Sequence, residues 1–381
     1  MTARWFLGPA LGAIVAAAAL SPTRRENAPP EFAQPRPAAT WPSASPRAAE
    51  LRADALRRAK VWQPADPRVV DFSENLPDPA GTLSGSIIRC RFLSKPAHGT
   101  TTKFDCVLPD GEVVKVKYGG TGEIPAEIAG TSLLRALGFG ADRMYVVPRV
   151  RCYGCPRFPF YLTWALDRLR ARDVVTRHLP DDRYTDFEWA VVERRFEGTE
   201  IKAGRAGGWA WYELDRVDPS LGATRAEIDA LRVTAMLLAH WDNKAENQRL
   251  VCQDTPASGG EPCPHVQAVI NDLGATFGPN KVDLASWQAT TMWADPKRCV
   301  LSMRELPYGG GTFPDVEVTE AGRQLIARQL EALSDHQMVS LFQAARFPEY
   351  FGDNPRGDPR AWAQVLRDKI RQVSTAGPCP S

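Results

Sequence analysis

The stretch His240–Leu250, HWDNKAENQRL, is followed after a cysteine-flanked insertion by Ala268–Gly278, AVINDLGATFG. The two pieces read as one hairpin. Asp242, Lys244 and Asn247 lie on the loop that enters it and Asp272 on the loop that leaves it. Transfer of a γ-phosphoryl group asks little covalent chemistry of a protein. It needs a carboxylate to orient an acceptor hydroxyl and take its proton, and oxygen ligands for the divalent ions that bridge the phosphates. Asp242 suits the first task, and Asn247 with Asp272 the second. One or two carboxylates suffice beside water and phosphate oxygens when the ion is Mg²⁺. Lys244 has the reach to place its ammonium on the transferring phosphate. Taken singly, each loop has an ordinary structural reading, a polar loop after a helix or an Asp and Gly turn. The chemical reading rests on their occurring together.

The neighbouring sequence delivers the chain to these loops. Thr224 and Glu227 form a capping box, and Ile228, Leu231, Ala235 and Leu238 follow at helical spacing, which predicts a buried helix ending at His240. His240 is expected to be a core histidine bonded to backbone rather than a proton shuttle. Upstream, residues 111–118, GEVVKVKY, alternate as a half-buried strand, with Val114, Val116 and Tyr118 on one face and Lys115 and Lys117 on the other. The helix predicted over 125–137 has Pro125 in its first turn and Gly138 just past its end. Glu127, Gly130 and Leu134 share one stripe of it, with the glycine admitting a close neighbour. Residues 187–198 read as a further strand. The C-terminal third reads as helices over 319–333, after a capping box at Ser334 and Gln337, and around Trp362, Leu366, Ile370 and Val373, with core-facing apolar stripes.

HWDNKAEN resembles the HRDLKxxN catalytic loop of the protein kinases at His240, Asp242, Lys244 and Asn247, and NDLG resembles their metal-binding DFG turn. Trp241 stands where Arg is usual and Leu273 where Phe is usual. No GxGxxG loop and no clear APE segment is found. The chain is therefore similar to atypical members of that superfamily, of the HipA, phosphoinositide or secretory-pathway type. The resemblance implies an α+β bilobal fold, with a small β-rich N-lobe and hinge over 68–198 and a mainly helical C-lobe over 199–381. It implies ATP and Mg²⁺ or Mn²⁺ as cofactors. Lys117, with Lys115 as the alternative, would hold the α- and β-phosphates. Glu127 would pair with that lysine, and backbone near Glu193 would meet adenine. The acceptor would be a hydroxyl on a protein, sugar or lipid head group. Two other readings stand beside this one: an inert nucleotide-binding pseudokinase serving as an interaction module, and an AMP transferase on the same fold.

The 381 residues are 44% hydrophobic and 24% charged, with a formal net charge of +2. That balance leaves no electrostatic footprint for nucleic acid, and a monomer is expected. Residues 1–20 read as a signal peptide or membrane anchor, which predicts an exported protein, periplasmic or extracellular, tethered by its N-terminus where the segment is an anchor. Residues 21–67 read as a Pro/Ala-rich linker, disordered to about Arg47 and then carrying a short helix over 47–62. Eight cysteines in an exported chain predict disulfides. Cys90 with Cys106 and Cys252 with Cys263 are the natural pairs, which leaves Cys299 with Cys379 by elimination. Cys152 and Cys155, in CYGC, stay open between a redox pair, half of a zinc site and a local bridge.

Overall fold

Alternation of apolar and polar side chains builds the principal sheet, and a helical apolar stripe builds most of the remainder. The computed structural model describes residues 24–36, 46–78, 80–96, 98–168, 180–203, 207–254, 261–279, 281–307 and 310–381. The predicted signal segment, residues 1–20, lies outside them. Along the chain the strands used below are β1 (Arg24–Arg25), β2 (Ile88–Leu93), β3 (Lys103–Val107), β4 (Val113–Lys117), β5 (Gly140–Ala141), β6 (Arg143–Tyr153), β7 (Arg183–Arg194), β8 (Thr199–Glu200), β9 (Gln248–Cys252) and β10 (Val266–Ile270). The helices are α1 (Ala48–Arg57), α2 (Glu123–Ala136), α3 (Pro159–Arg168), α4 (Arg225–Leu237), α5 (Leu284–Ala289), α6 (Glu320–Glu331), α7 (Asp335–Ala344), α8 (Phe347–Phe351) and α9 (Pro359–Thr375). The chain divides into two compact units. One takes residues up to 37 with 76–121 and 145–194, and the other takes 38–75, 122–144 and 195–381.

The first unit is β-rich. Its sheet runs β1-β7-β4-β3-β2-β6 and closes on itself through pairing of β6 with β7, so the five long strands form a ring. Ile88, Cys90, Phe104, Cys106, Val114, Val116, Val147, Cys152 and Val192 make its core. Because side chains alternate along a strand, Lys115 and Lys117 fall on the opposite face of β4 from Val114 and Val116. The closed ring is not legible in the sequence, since closure depends on a pairing between strands about forty residues apart.

Residues 24–36, inside the stretch that composition marks as disordered, are held along this unit. Arg24 and Arg25 pair with Tyr184 and Arg183. Further on, Ala33 N donates to Pro109 O at 3.1 Å and Arg36 N to Gly111 O at 2.7 Å. Backbone pairing needs no apolar side chains, so composition is blind to it.

The second unit is mainly helical around a small sheet ordered β5-β10-β9-β8. Helix α1 docks by Ala48, Leu51, Ala55 and Leu56, all buried. Behind it Lys60 joins the sheet, donating to Val266 O and accepting from Ala268 N, both at 2.8 Å. Gly138 ends α2 with φ +90°, and a Cβ there would stand 2.2 Å from Gln63 O, so only glycine fits. Phe277, Trp287, Phe342, Phe347 and Trp362 pack as one aromatic cluster, with Phe277–Trp287 and Phe347–Trp362 centroids 5.0 Å apart.

Disulfides join Cys90 to Cys106, Cys252 to Cys263 and Cys299 to Cys379, while Cys152 and Cys155 are buried thiols. Three such bridges suit an oxidising compartment. Among the described residues no helix is long and apolar enough to cross a membrane. The mixed α and β character expected from the sequence is present, with β structure concentrated in one unit and helix in the other.

Trp362 is fully buried at the centre of the aromatic cluster. Trp362→Ala is expected to cost about 3–5 kcal/mol, seen in urea denaturation as a lower midpoint; an unchanged midpoint would mean that the cluster is not the core of this unit.

Candidate functional site

Helix α4 begins at the capping box of Thr224 and Glu227 and buries Ile228, Leu231 and Ala235. It ends in a tight reversal, with Ala239 at φ +51° and His240 N donating to Ala235 O at 3.0 Å. A left-handed alanine is strained by roughly 1 kcal/mol, and this one turns the chain into the His240–Asn247 loop. There a short 3₁₀ turn, Ala245–Asn247, leads into β9.

Asn247 ties the loops together. Its Nδ2 donates to Asp242 O at 2.6 Å, and its carbonyl accepts from Asn271 N at 3.0 Å. Antiparallel pairing of β9 with β10 puts Gln248 opposite Ile270, so Asn247 and Asn271 meet at the mouth of the hairpin. Asp272 is the next residue, and its Oδ1 accepts from Gly274 N at 3.2 Å. Asp242, Lys244, Asn247 and Asp272 are thereby gathered around one hairpin mouth.

Beneath them lies His240, fully buried. Burial pushes its imidazole down to about 4, although the Asp272 and Asp242 carboxylates both pull the other way. The two aspartates thus sense the same ring, which stays neutral at ordinary pH. Among the described residues its Nδ1 has no hydrogen-bond partner, so the expected backbone bond from the ring is not found. A neutral ring that far down is no proton shuttle at neutral pH.

Lys244 lies 3.0 Å from Asp242 Oδ1 and 3.1 Å from Oδ2. Their side chains are 37% and 23% exposed. A pair so wetted contributes little, about 0.5 kcal/mol, so a ligand can draw Lys244 away. With the amide nitrogen of Asn247 committed to Asp242 O, its Oδ1 is left for a cation. Asn271 Oδ1 is buried without a hydrogen-bond partner among the described residues. Two amide oxygens and the Asp272 carboxylate are hard donors, the type that suits Mg²⁺ or Mn²⁺ and not a soft ion.

Two features here were not anticipated. Asn243, buried, accepts through Oδ1 from Thr312 N at 2.7 Å and Phe313 N at 3.0 Å, and donates to His240 O at 3.0 Å. It pins residues 312–313 against the His240–Asn247 loop. Trp241 Nε1 donates to Gly278 O at 3.1 Å, which locks the two loops from the other side. Trp241, Asn243, Met303, Arg304 and Phe313 line a cleft of about 430 Å³. An asparagine in a polar loop carries no sequence mark of such a role.

Glu127 lies buried on α2 of this same unit. One turn along, Gly130 lets Leu273 approach so that a Cβ on the glycine would stand 3.3 Å from Leu273 Cβ. The predicted close neighbour of Gly130 is therefore the NDLG turn itself.

The lysine strand belongs to the first unit. Lys115 Nζ is 2.5 Å from Glu193 Oε1, and Lys117 Nζ is 2.7 Å from Oε2. Glu193 is 2% exposed; burial alone would raise its carboxyl, but Lys115 and Lys117 outweigh it and hold it well below the usual range. Glu193 was singled out for its backbone beside adenine. Its side chain instead bridges both lysines, because β4 and β7 pair with Lys115 opposite Glu193.

No protein-family model matches the sequence, and no curated protein matches it. Among solved structures the chain is similar to the Helicobacter pylori proinflammatory kinase CtkA, at 11% identity and a TM-score of 0.40, over 82% of this chain and 98% of that one. Likeness at that level transfers neither fold nor chemistry.

The buried imidazole gives a pH test with a defined sign. His240 has a lower folded-state value than in the unfolded chain, so its contribution is full above about pH 6.5 and is lost as pH falls toward 4, by about 3 kcal/mol in all. Urea midpoints of the wild type should drop across that window more steeply than those of His240→Asn. Parallel slopes would show that the ring is not held neutral.

Proposed function

We propose that this protein is an exported atypical kinase that transfers the γ-phosphoryl group of ATP to a hydroxyl acceptor. The observation carrying the proposal is Asn247, whose two hydrogen bonds gather Asp242, Asp272 and the orphaned Asn271 oxygen at one hairpin mouth. In this reading Asp242 accepts a hydrogen bond from the acceptor hydroxyl, aligns it for in-line attack and takes its proton as the new P–O bond forms. Lys244 leaves its wetted pair with Asp242 to place positive charge against the γ-phosphoryl oxygens. Asn247 and Asp272, with Asn271 beside them, would hold Mg²⁺ or Mn²⁺. The ion would supply neutralisation of the phosphate charge and an anchor for the β- and γ-oxygens.

On the nucleotide side, Lys117 is assigned to the α- and β-phosphates, with Lys115 and Glu193 completing its charge environment. Glu127 is assigned to orienting the lysine when nucleotide is bound. The open cleft at Trp241, Arg304 and Phe313 is assigned to the acceptor, because Trp241 and Asn243 on its wall flank Asp242 in the chain. Three disulfides support the exported assignment.

Intact mass of the protein after incubation with ATP and Mg²⁺ or Mn²⁺, alone and with a panel of hydroxyl acceptors, tests this. A gain of one phosphate on protein or acceptor is expected, reduced at least 100-fold in kcat for Asp242→Asn. A gain of AMP would select nucleotidyl transfer, and nucleotide binding with no product from any acceptor would select an inert module.

A further inference from the structure

Inside the first unit four cysteines come together that the phosphoryl-transfer reading does not use. Cys90, Cys106, Cys152 and Cys155 all belong to the core of the β ring. Cys90 on β2 lies directly opposite Cys152 on β6 in parallel register. Cys106, on the other neighbour of β2, is bonded to Cys90. The Cys152 sulfur stands 3.8 Å from that of Cys106, which is van der Waals contact between a thiol and one end of a disulfide. Cys155, three residues on, is likewise buried, and its side chain interacts with that of Cys152. The turn between them is fixed: Gly154 adopts φ +62°, its N–H donates to Arg183 O at 2.8 Å, and Thr185 Oγ1 donates to Cys155 O at 3.0 Å. The sulfurs of Cys90, Cys106 and Cys152 lie within 4.8 Å of one another with one disulfide among them, and Cys155 follows on the turn after β6.

We infer that this cluster is a thiol–disulfide exchange centre, in which a single disulfide moves between Cys90–Cys106, Cys106–Cys152 and Cys152–Cys155. In the first step Cys152 gives up its proton and its sulfur bonds to Cys106. The Cys90–Cys106 bond breaks, and Cys90 leaves with the electron pair and takes up a proton. In the second step the Cys155 sulfur bonds to Cys152, and Cys106 leaves in the same way. The CYGC pair has then been oxidised by two electrons and the Cys90 and Cys106 pair reduced by two, so no outside oxidant is consumed. Burial raises both thiols, which makes each step infrequent. The consequence is mechanical: the cross-link ties β2 to β3, the strand beside the lysine-bearing β4, or ties β3 to β6, or is confined to the turn after β6. The inference owes nothing to the phosphoryl-transfer reading.

Full-length protein prepared without reductant, quenched in acid, alkylated with N-ethylmaleimide and digested at low pH would be mapped for cross-linked peptides. All three linkages are expected, together amounting to one disulfide per molecule in this cluster. Cys155→Ser should keep Cys106–Cys152, and Cys152→Ser should leave Cys90–Cys106 as the sole linkage. The wild-type map is decisive even if a variant fails to fold. Finding Cys90–Cys106 alone with both CYGC thiols alkylated would overturn the proposal. So would two disulfides at once, or four thiols with one equivalent of zinc.

Discussion

One asparagine holds the candidate site in place. Through its side-chain amide Asn247 fixes the carbonyl of Asp242, and through its own carbonyl it fixes the amide of Asn271. Both bonds involve backbone, so they set the course of the chain and not merely the rotamer of a side chain. Everything at the hairpin mouth follows from them. Asp242 is held five residues back on the entering loop and Asp272 one residue on along the leaving loop. The far end of the hairpin is closed by the Cys252–Cys263 bridge, which tolerates the insertion between the two motifs without loosening their register. The entering loop is set by α4, whose strained exit at Ala239 stores a small cost at the place where direction matters most.

Charge is handled differently at the two candidate clusters. At the hairpin mouth, Asp242 and Asp272 face a buried ring that remains neutral, and the cation seen against Asp242 is the half-wetted Lys244. That leaves negative charge for an external cation. On β4 the arrangement is reversed: one deeply buried carboxylate, Glu193, takes both Lys115 and Lys117.

Much of this was legible in local sequence. The capping boxes at Thr224 and Ser334 mark helix starts because their partners are three residues away. The hairpin and its Asp, Asn and Lys residues were legible for the same reason, as were the alternation of β4 and the Cys90–Cys106 and Cys252–Cys263 pairs, while Cys299–Cys379, eighty residues apart, came only by elimination. What escaped depends on distant pairing. Glu193 meets Lys115 across seventy-eight residues, and nothing local distinguishes its side chain from a solvated one. Asn243 reaches residues 312 and 313 across about seventy more. The attachment of residues 24–36 uses backbone groups, which every composition possesses. The closed ring of the first unit arises from β6 meeting β7, a matter of topology and not of periodicity.

The central claim, that Asn247 and Asp272 serve one cation, is tested most directly by electron paramagnetic resonance of Mn²⁺ titrated into the full-length protein with a non-hydrolysable ATP analogue. The account predicts saturable Mn²⁺ binding that Asp272→Asn and Asn247→Ala each weaken at least tenfold, with the double variant little worse than either alone. Undiminished Mn²⁺ affinity in both single variants would contradict it.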